Sequence, residues 1–149
     1  ADIAACVDIR GKTRENAISA ERLAAAGITV ASWARDVEVG ALPGFVCIDE
    51  QNRIGGYCFG EVGTGEIVVL ALLPEHESRG IGRELLRLVV NLLREAGHHR
   101  LFLGCSADPS TRSYGFYRHL GWSSTGAIDR FNDEILEFFP SGRRGAGEA

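Results

Sequence analysis

The sequence predicts a single α/β domain (an α+β arrangement with a mixed sheet) in which helices cover a central β-sheet. The chain has 149 residues with 45% hydrophobic content, which is enough for one core. Short apolar segments of strand length fill its middle and end. Between two of them, the apolar residues follow helical spacing. The order strand, helix, strand predicts a right-handed parallel crossover between neighbouring strands.

The first third of the chain is predicted to be helical. Apolar residues recur at helical spacing over residues 2–11, after which glycine and polar residues end the pattern. Ser19 is a suitable N-cap for a second helix that ends at Ala26, and Thr29 for a third over residues 30–39. Three short helices therefore precede the first strand.

Three strands are predicted next. Residues 45–49 and 54–62 are apolar segments joined by a polar turn, which indicates a β-hairpin. Residues 66–73 are continuously apolar after the first position, a pattern typical of a central strand covered on both faces. Pro74 ends this strand.

The second half of the chain alternates between helix and strand. An amphipathic helix is predicted from residue 81 to 97, then a strand over 100–105. The apolar stripe of that helix comprises Ile81, Leu85, Leu88, Val89, Leu92 and Ala96. Asp108 and Pro109 indicate a last helix, with an acidic N-cap and proline at the first helical position. Residues 122–126 and 134–139 are predicted to close the sheet as an antiparallel pair, and 140–149 form a tail.

Composition excludes several classes of function. The balance of 16 Lys and Arg against 20 Asp and Glu provides no basic field for nucleic acid and favours a cationic or neutral substrate. No apolar segment approaches the roughly 20 residues that cross a bilayer, so we expect a cytoplasmic protein without a membrane partner. No CxxC or zinc spacing occurs, and we expect no metal and four reduced, buried thiols: Cys6, Cys47, Cys58 and Cys105.

The turn between the central strand and the amphipathic helix is a candidate phosphate site. A glycine-rich turn at a helix start presents unpaired N–H groups and the positive end of the helix dipole. Gly80 and Gly82 allow close approach to the backbone, while Arg79 and Arg83 add positive charge. The lysine of a Walker loop and the third glycine of a dinucleotide site are absent. On spacing alone, a plain tight turn is an equal alternative.

Two motifs resemble those of the GNAT superfamily of acyl-CoA-dependent N-acetyltransferases. The segment LALLPEHESRGIGRELL (70–86) resembles its central motif, (Gln or Arg)-x-x-Gly-x-(Gly or Ala), with Glu77 where Gln or Arg is usual. The family's Tyr-x-x-x-Gly-(Phe) appears at Tyr117 to Trp122. The resemblance covers about residues 43–139 and implies one domain over 1–139, with a mixed sheet splayed between two parallel strands. It also implies acetyl-CoA as co-substrate.

The resemblance assigns roles to particular residues. It implies that Tyr117 protonates the departing thiolate. The placement of Glu66 is similar to that of the general base in the histone-acetylating branch of the family; Glu61, Asp49 or a water chain are alternatives, and an exposed carboxylate without a catalytic role is an equal interpretation of Glu66. The Leu72 N–H would bind the thioester carbonyl. Cofactor contacts are expected from Leu70, Ala71, Leu72, Ser78, Arg79, Gly80, Ile81, Gly82, Arg83 and Ser110. Acceptor contacts are expected from Arg14, Glu15, Asn16 and Tyr57, with Trp33 and Phe59 as further wall residues.

The resemblance leaves the acceptor open beyond a primary amine of a small molecule or peptide. Two other functions are alternatives: a non-catalytic acyl-CoA sensor and an unrelated nucleotide-binding module. Dimerisation is common in the family, so a homodimer is an expectation. Members usually begin with an edge strand. No strand precedes Asp2, which leaves either a missing segment or a sheet that is one strand shorter.

Overall fold

The computed structural model describes residues 2–12, 34–35, 37–77 and 79–142. The helices in this part of the chain are α1 (Asp2–Arg10), α2 (Ile81–Glu95) and α3 (Arg112–His119), with a 3-10 turn at Pro74–His76. The strands are β1 (Gly44–Ile48), β2 (Ile54–Glu61), β3 (Glu66–Leu72), β4 (Leu101–Cys105), β5 (Ser123–Ile128) and β6 (Glu134–Phe138). The predicted mixed α/β architecture is confirmed.

The described strands form one sheet in the order β1-β2-β3-β4-β6-β5. All neighbours are antiparallel except β3 and β4, which are parallel, as expected for strands joined by the α2 crossover. The two parallel strands pair only at Glu66 and Phe102, where the Phe102 N–H donates to the Gly65 carbonyl at 3.2 Å. Beyond this point β3 and β4 diverge, so the sheet is split toward their carboxyl ends.

A β-bulge on β3 accompanies this split. Phe59 of β2 faces Val69, whereas the next residue, Gly60, faces Ile67, so Val68 has no partner in the register. An extra residue in one strand bends that strand and increases its local twist. The bulge therefore turns the second half of β3 relative to its first half, just after its single pairing with β4.

Each face of the sheet carries its own hydrophobic cluster. The larger cluster lies under α2 and α3 and contains Cys58, Ile67, Leu85, Leu86, Val89, Leu93, Leu101, Leu103, Cys105, Tyr117, Trp122 and Leu136. The smaller cluster lies under α1 and contains Cys6, Val7, Ile9, Leu42, Tyr57, Phe59 and Ala71. Because β3 contributes to both clusters, the prediction that both of its faces are covered is confirmed.

The packed face of α2 is rotated from the predicted stripe. Its buried residues are Gly82, Leu85, Leu86, Val89 and Leu93, while Ala96 is exposed just past the helix end. A period of 3.6 residues permits neighbouring stripes. The buried stripe includes Gly82, Leu86 and Leu93, which the sequence prediction omitted.

Two other predictions are wrong. The last helix begins at Arg112 after an N-cap at Thr111, because Asp108 accepts hydrogen bonds from the Ser110 N–H and hydroxyl and forms a turn there. All four cysteines are free, but Cys47 is only partly buried.

Several predictions lie outside the described residues, among them the helix expected after Ser19, much of the helix expected after Thr29, and most of the tail. None of the described helices has the length and hydropathy needed to cross a membrane.

Candidate functional site

The split between β3 and β4 forms a cleft lined by backbone groups. The Leu73 N–H donates to the Gly55 carbonyl of the β2 side at 2.8 Å. Because successive residues of a strand direct their backbone groups to opposite edges, the N–H and C=O groups of Leu72 and Leu70 point toward β4. The ladder with β4 does not extend to this level, since its single pair lies at Glu66. Ala71 faces the opposite edge, toward Tyr57 of β2.

The helix start next to the cleft has the geometry of an anion site. Gly80 is the N-cap of α2, with a left-handed φ of 77°, and the first intrahelical hydrogen bond runs from the Glu84 N–H to its carbonyl. The N–H groups of the preceding turn, Ile81 to Arg83, therefore have no acceptor within the helix. A Cβ built on Gly80 meets no atom within 4 Å. Arg79 and Arg83 are exposed beside this open space, and Ser78 lies outside the described residues.

Gly82 brings three elements together at this point. A Cβ on Gly82 would lie 3.2 Å from Leu72 Cδ1 and 3.7 Å from Phe116 Cζ. The first turn of α2 therefore packs closely on the end of β3 and on α3. Because residue 82 has no side chain, the helix start can lie this close to the cleft.

Tyr117 lies on α3 and is buried, with 8% of its surface exposed. Its ring contacts those of Phe116 and Trp122 edge-on, at centroid distances of 5.0 and 6.0 Å. Burial raises its pKa, and the nearby thiols of Cys58 and Cys105 raise it further. Cys58 faces Leu70 across β2 and β3, and Cys105 ends β4. Tyr117 therefore lies at the level where the two strands diverge and is protonated at neutral pH.

The orientation of α3 is held from both sides. Arg118 forms an ion pair with Glu134 of β6, and its guanidinium carbon lies 3.6 Å from the centroid of the Tyr114 ring. On the loop side, Arg112 Nη1 lies 2.8 Å from Glu77 Oε2. Sequence reasoning missed both ion pairs, because each joins residues that are distant along the chain.

Glu66 begins β3 and is half-buried among other carboxylates. Burial raises its pKa, and the charges of Glu61 and Asp129 raise it further. Asp129 lies over Gly104 of β4, and Asp133 beside it also has a pKa raised by burial. A carboxyl group with a raised pKa is a stronger proton acceptor when it is ionised, which suits general-base chemistry.

The alternative base Asp49 has the opposite electrostatics. Its carboxylate accepts hydrogen bonds from the backbone N–H groups of Gln51 and Arg53 and pairs with the Arg53 side chain. The backbone hydrogen bond from Arg53 is the main reason that its pKa is lowered. Asp49 therefore serves to close the β1–β2 turn. Glu61, the other alternative base, lies directly opposite Glu66 in the pairing of β2 with β3.

The remaining candidate residues are placed less favourably for contact with a cofactor or an acceptor. The Ser110 hydroxyl donates to Asp108 at 2.8 Å, although its oxygen can still accept. Tyr57 is 0% exposed and Phe59 is 4% exposed, so both belong to the core under α1. Burial also raises the pKa of Tyr57. Arg14, Glu15, Asn16 and Trp33 lie outside the described residues. No cluster of three His, Cys, Asp or Glu side chains suited to a metal ion occurs in the described part of the chain.

Comparison with known proteins identifies the family. The family model for the acetyltransferase (GNAT) family matches residues 8–122. A mycothiol acetyltransferase of Clavibacter sepedonicus is 32% identical over 83 residues, which are 54% of this chain. The match spans only 27% of that relative's length.

Solved structures share the fold. A GNAT-family protein of Desulfovibrio desulfuricans superposes with a TM-score of 0.76 at 19% identity, covering 93% of this chain and 92% of that one. The PaiA N-acetyltransferase of Thermoplasma acidophilum, in complex with coenzyme A, gives 0.67 at 16% identity, covering 93% and 92%. The ribosomal-protein-S18-alanine N-acetyltransferase of Escherichia coli gives 0.67 at 17% identity, covering 98% and 92%. Since the family model also matches more than half of the chain, this protein belongs to the GNAT family of acetyltransferases.

Proposed function

We propose that this protein transfers an acetyl group from acetyl-CoA to a primary amine of a small molecule or peptide. The observation that carries the proposal is the split between β3 and β4 directly in front of the Gly80 helix start. The split exposes backbone hydrogen-bonding groups of β3, and the helix start exposes N–H groups that can bind an anion. A ligand with an extended amide-containing arm and a pyrophosphate would use both at once.

The residues at the split fit such a cofactor. Leu70 and Leu72 would pair with the pantetheine arm through their backbone groups, as a neighbouring strand would. The N–H groups from Ile81 to Arg83 would bind the pyrophosphate, which the open space at Gly80 allows to approach. Structures with similar folds were solved with coenzyme A or acetyl-CoA, including an aminoglycoside 6′-N-acetyltransferase. These complexes support coenzyme A as the ligand of this fold.

Three groups of this chain would then act on the reaction. Acetyl-CoA supplies the thioester, and the Leu72 N–H would donate to its carbonyl oxygen as negative charge develops there. Glu66 begins β3 and stands six residues before Leu72, so it would accept the proton that the amine loses through intervening water, which its raised pKa favours. Tyr117, kept protonated by burial, would donate a proton to the departing sulfur.

We propose that the acceptor amine binds on the face that carries Glu66. Glu61 and Asp129 lie near Glu66, and Asp133 lies near Asp129. These carboxylates outnumber the nearby cations, Arg130 and Arg10, so a positively charged amine would still be attracted before it loses its proton. Arg14, Glu15 and Asn16 remain the predicted acceptor contacts.

A thiol-release assay tests the proposal. Acetyl-CoA would be mixed with the protein and a panel of amines: polyamines, aminoglycosides, amino acids and peptides with free N-termini. Acetylation would be confirmed by mass spectrometry. We expect saturable, amine-dependent release of coenzyme A, and calorimetry should show binding of acetyl-CoA but not of ATP or NAD. Tight acetyl-CoA binding without turnover on any amine would indicate a sensor, and binding of ATP or NAD would indicate a nucleotide module.

A further inference from the structure

We propose that Arg130, on the turn between β5 and β6, binds a carboxylate of the acceptor, so that the preferred acceptor is an amine with a carboxylate close to it. A free amino acid and a peptide with an acidic second residue are two sources of this chemistry. The inference rests on the proposed acetyl transfer and adds the class of acceptor. Glu66 would lie on the side of the amine, and Arg130 would pair with the negative charge beside it.

The turn that carries Arg130 is held in one conformation by Asp129. The Asp129 carboxylate accepts hydrogen bonds from the Phe131 N–H at 2.8 Å and from the Asp133 N–H at 3.0 Å. The Asp129 N–H also donates to the Asp133 carbonyl at 2.8 Å, which closes the turn. Hydrogen bonds from the backbone to a short polar side chain fix a turn of this kind. The backbone of Arg130 therefore has a fixed conformation.

This turn lies on the same face of the sheet as Glu66. Asp129 Oδ2 lies over Gly104 of β4, at the place where a side chain would begin. Both neighbours of Gly104 along β4 belong to the cluster under α2 and α3, and side chains of a strand alternate between its faces. The turn is therefore on the face that α1 packs against. Ile67 is in the cluster under α2 and α3, which places Glu66 on the face of α1 as well.

The Arg130 guanidinium lies near Glu66 but does not pair with it. Burial and the charges of Glu61 and Asp129 raise the pKa of Glu66, and Arg130 acts in the opposite direction, so its charge reaches this carboxylate. The Arg130 side chain is exposed, and it makes no hydrogen bond or ion pair with the other residues that the structure describes. Its five N–H donors are therefore available to a ligand.

Phe131 restricts the positions of this guanidinium. The guanidinium carbon of Arg130 lies 4.7 Å from the centroid of the Phe131 ring, within the range of a cation–π contact. An arginine that stacks on a ring keeps the edge of its planar fork open, and this fork can bind a carboxylate through two parallel hydrogen bonds. The contact with Phe131 thus orients Arg130 and leaves its donors accessible.

A ligand with both charges would suit this face. Glu66 and its neighbouring carboxylates attract an ammonium group, and Arg130 attracts a carboxylate next to it. An acceptor that carries both groups would neutralise both sides at once. A simple amine would leave Arg130 without a partner and would be repelled by it, so the same residue would also select against acceptors that lack the carboxylate.

Arg130→Gln tests the inference, with Arg94→Gln as its matched control. Arg94 is in the last turn of α2, on the other face of the sheet, and it is also exposed. Like Arg130, it makes no ion pair with the residues that the structure describes. Each variant therefore removes one positive charge from an exposed arginine. Arg130→Lys keeps the charge but not the planar fork.

The assay compares acceptors in pairs in which a neutral amide replaces one carboxylate, with acetyl-CoA as the donor. The first pair is L-alanine and L-alaninamide, and the second is a peptide amide that begins with Ala-Asp or with Ala-Asn. The two pairs separate the two sources of the carboxylate. The kcat/KM of each variant is divided by the wild-type value for the same acceptor, which removes differences in the basicity of the amines.

In at least one pair we expect the wild type to prefer the carboxylate form. With that form Arg130→Gln should lower kcat/KM about tenfold, and with the amide form it should leave kcat/KM unchanged. An effect in the first pair would identify a free amino acid as the acceptor, and an effect in the second pair would identify a peptide. Arg130→Lys should recover part of the loss. Arg94→Gln should change no value, and all variants should keep the wild-type melting temperature.

Four results would overturn the inference. Equal losses with carboxylate and amide acceptors would mean that Arg130 does not act on a carboxylate, and an equal loss in Arg94→Gln would assign the effect to net charge. No loss with any acceptor would remove Arg130 from the site. Turnover only of amines without a carboxylate, such as polyamines, would exclude the proposed class. Failure of the wild-type protein to release coenzyme A with any amine would instead contradict the proposed function itself, before any variant is compared.

Discussion

Gly80→Ala separates the conformational role of the turn from its role in binding. Gly80 has a φ of 77°, and an added Cβ meets no atom within 4 Å. The change therefore causes no clash and costs only the left-handed conformation, about 1–2 kcal/mol for alanine. Reduced freedom of the unfolded chain offsets about 0.4–1 kcal/mol of this. The net loss of about 1 kcal/mol should lower the melting temperature by about 2–4 °C.

The new methyl group also occupies the space through which a pyrophosphate would reach the N–H groups of α2. We expect the affinity for coenzyme A, measured by calorimetry, to fall at least about tenfold, since charge-assisted hydrogen bonds would be lengthened or lost. Gly40→Ala is the control, because Gly40 also has a φ of 77° and open space at its Cβ. It should lose similar stability and no affinity. Unchanged coenzyme A affinity in Gly80→Ala, or an equal loss in Gly40→Ala, would refute the reasoning.

Three further substitutions test the site and the core. Tyr117→Phe should keep coenzyme A binding by calorimetry but lower kcat by about 100-fold, because the thiolate loses its acid; wild-type turnover would remove Tyr117 from the mechanism. Glu66→Gln should abolish the acidic limb of the pH–rate profile, and a retained limb would exclude Glu66 as the base. Gly60→Ala places a Cβ 2.8 Å from Val89 and Leu93. It should lower the free energy of unfolding by about 1–3 kcal/mol, measured by denaturant titration, with unchanged coenzyme A affinity.

The elements that the sequence predicted well are those with a strong local signal. The strand before Pro74 and the helix after Gly80 follow from an apolar run and a periodic pattern, each bounded by residues that end secondary structure. The split between β3 and β4 was predicted only through the resemblance of two motifs to the GNAT family. The sequence of either strand alone could not predict it, because a contact between two strands leaves no pattern in either segment.

Other features of the fold and the site leave no pattern in the sequence from which they could have been predicted. Val68 lies in a segment that is apolar on both faces, so an extra residue there does not disturb any alternation that the sequence displays. The start of α3 was misplaced because Asp108 hydrogen-bonds to Ser110 within a turn, a local competitor of the helical N-cap. Glu77 and Arg112 are 35 residues apart, and only the packing of α3 against α2 brings them together.

The electrostatics of Glu66 connect stability with the proposed chemistry. Its pKa is raised in the folded protein, first by burial and then by Glu61 and Asp129. The folded state therefore binds this proton more tightly than the unfolded state, and the contribution of Glu66 to stability declines as pH rises from its ordinary pKa through the raised one. The ionised form of the carboxylate is therefore a net cost to folding. Replacing Glu66 by Gln should thus raise stability relative to wild type more at pH 7.5 than at pH 4, while it removes the proposed base. A carboxylate whose ionised form destabilises the fold is understandable if the proposed catalysis requires it.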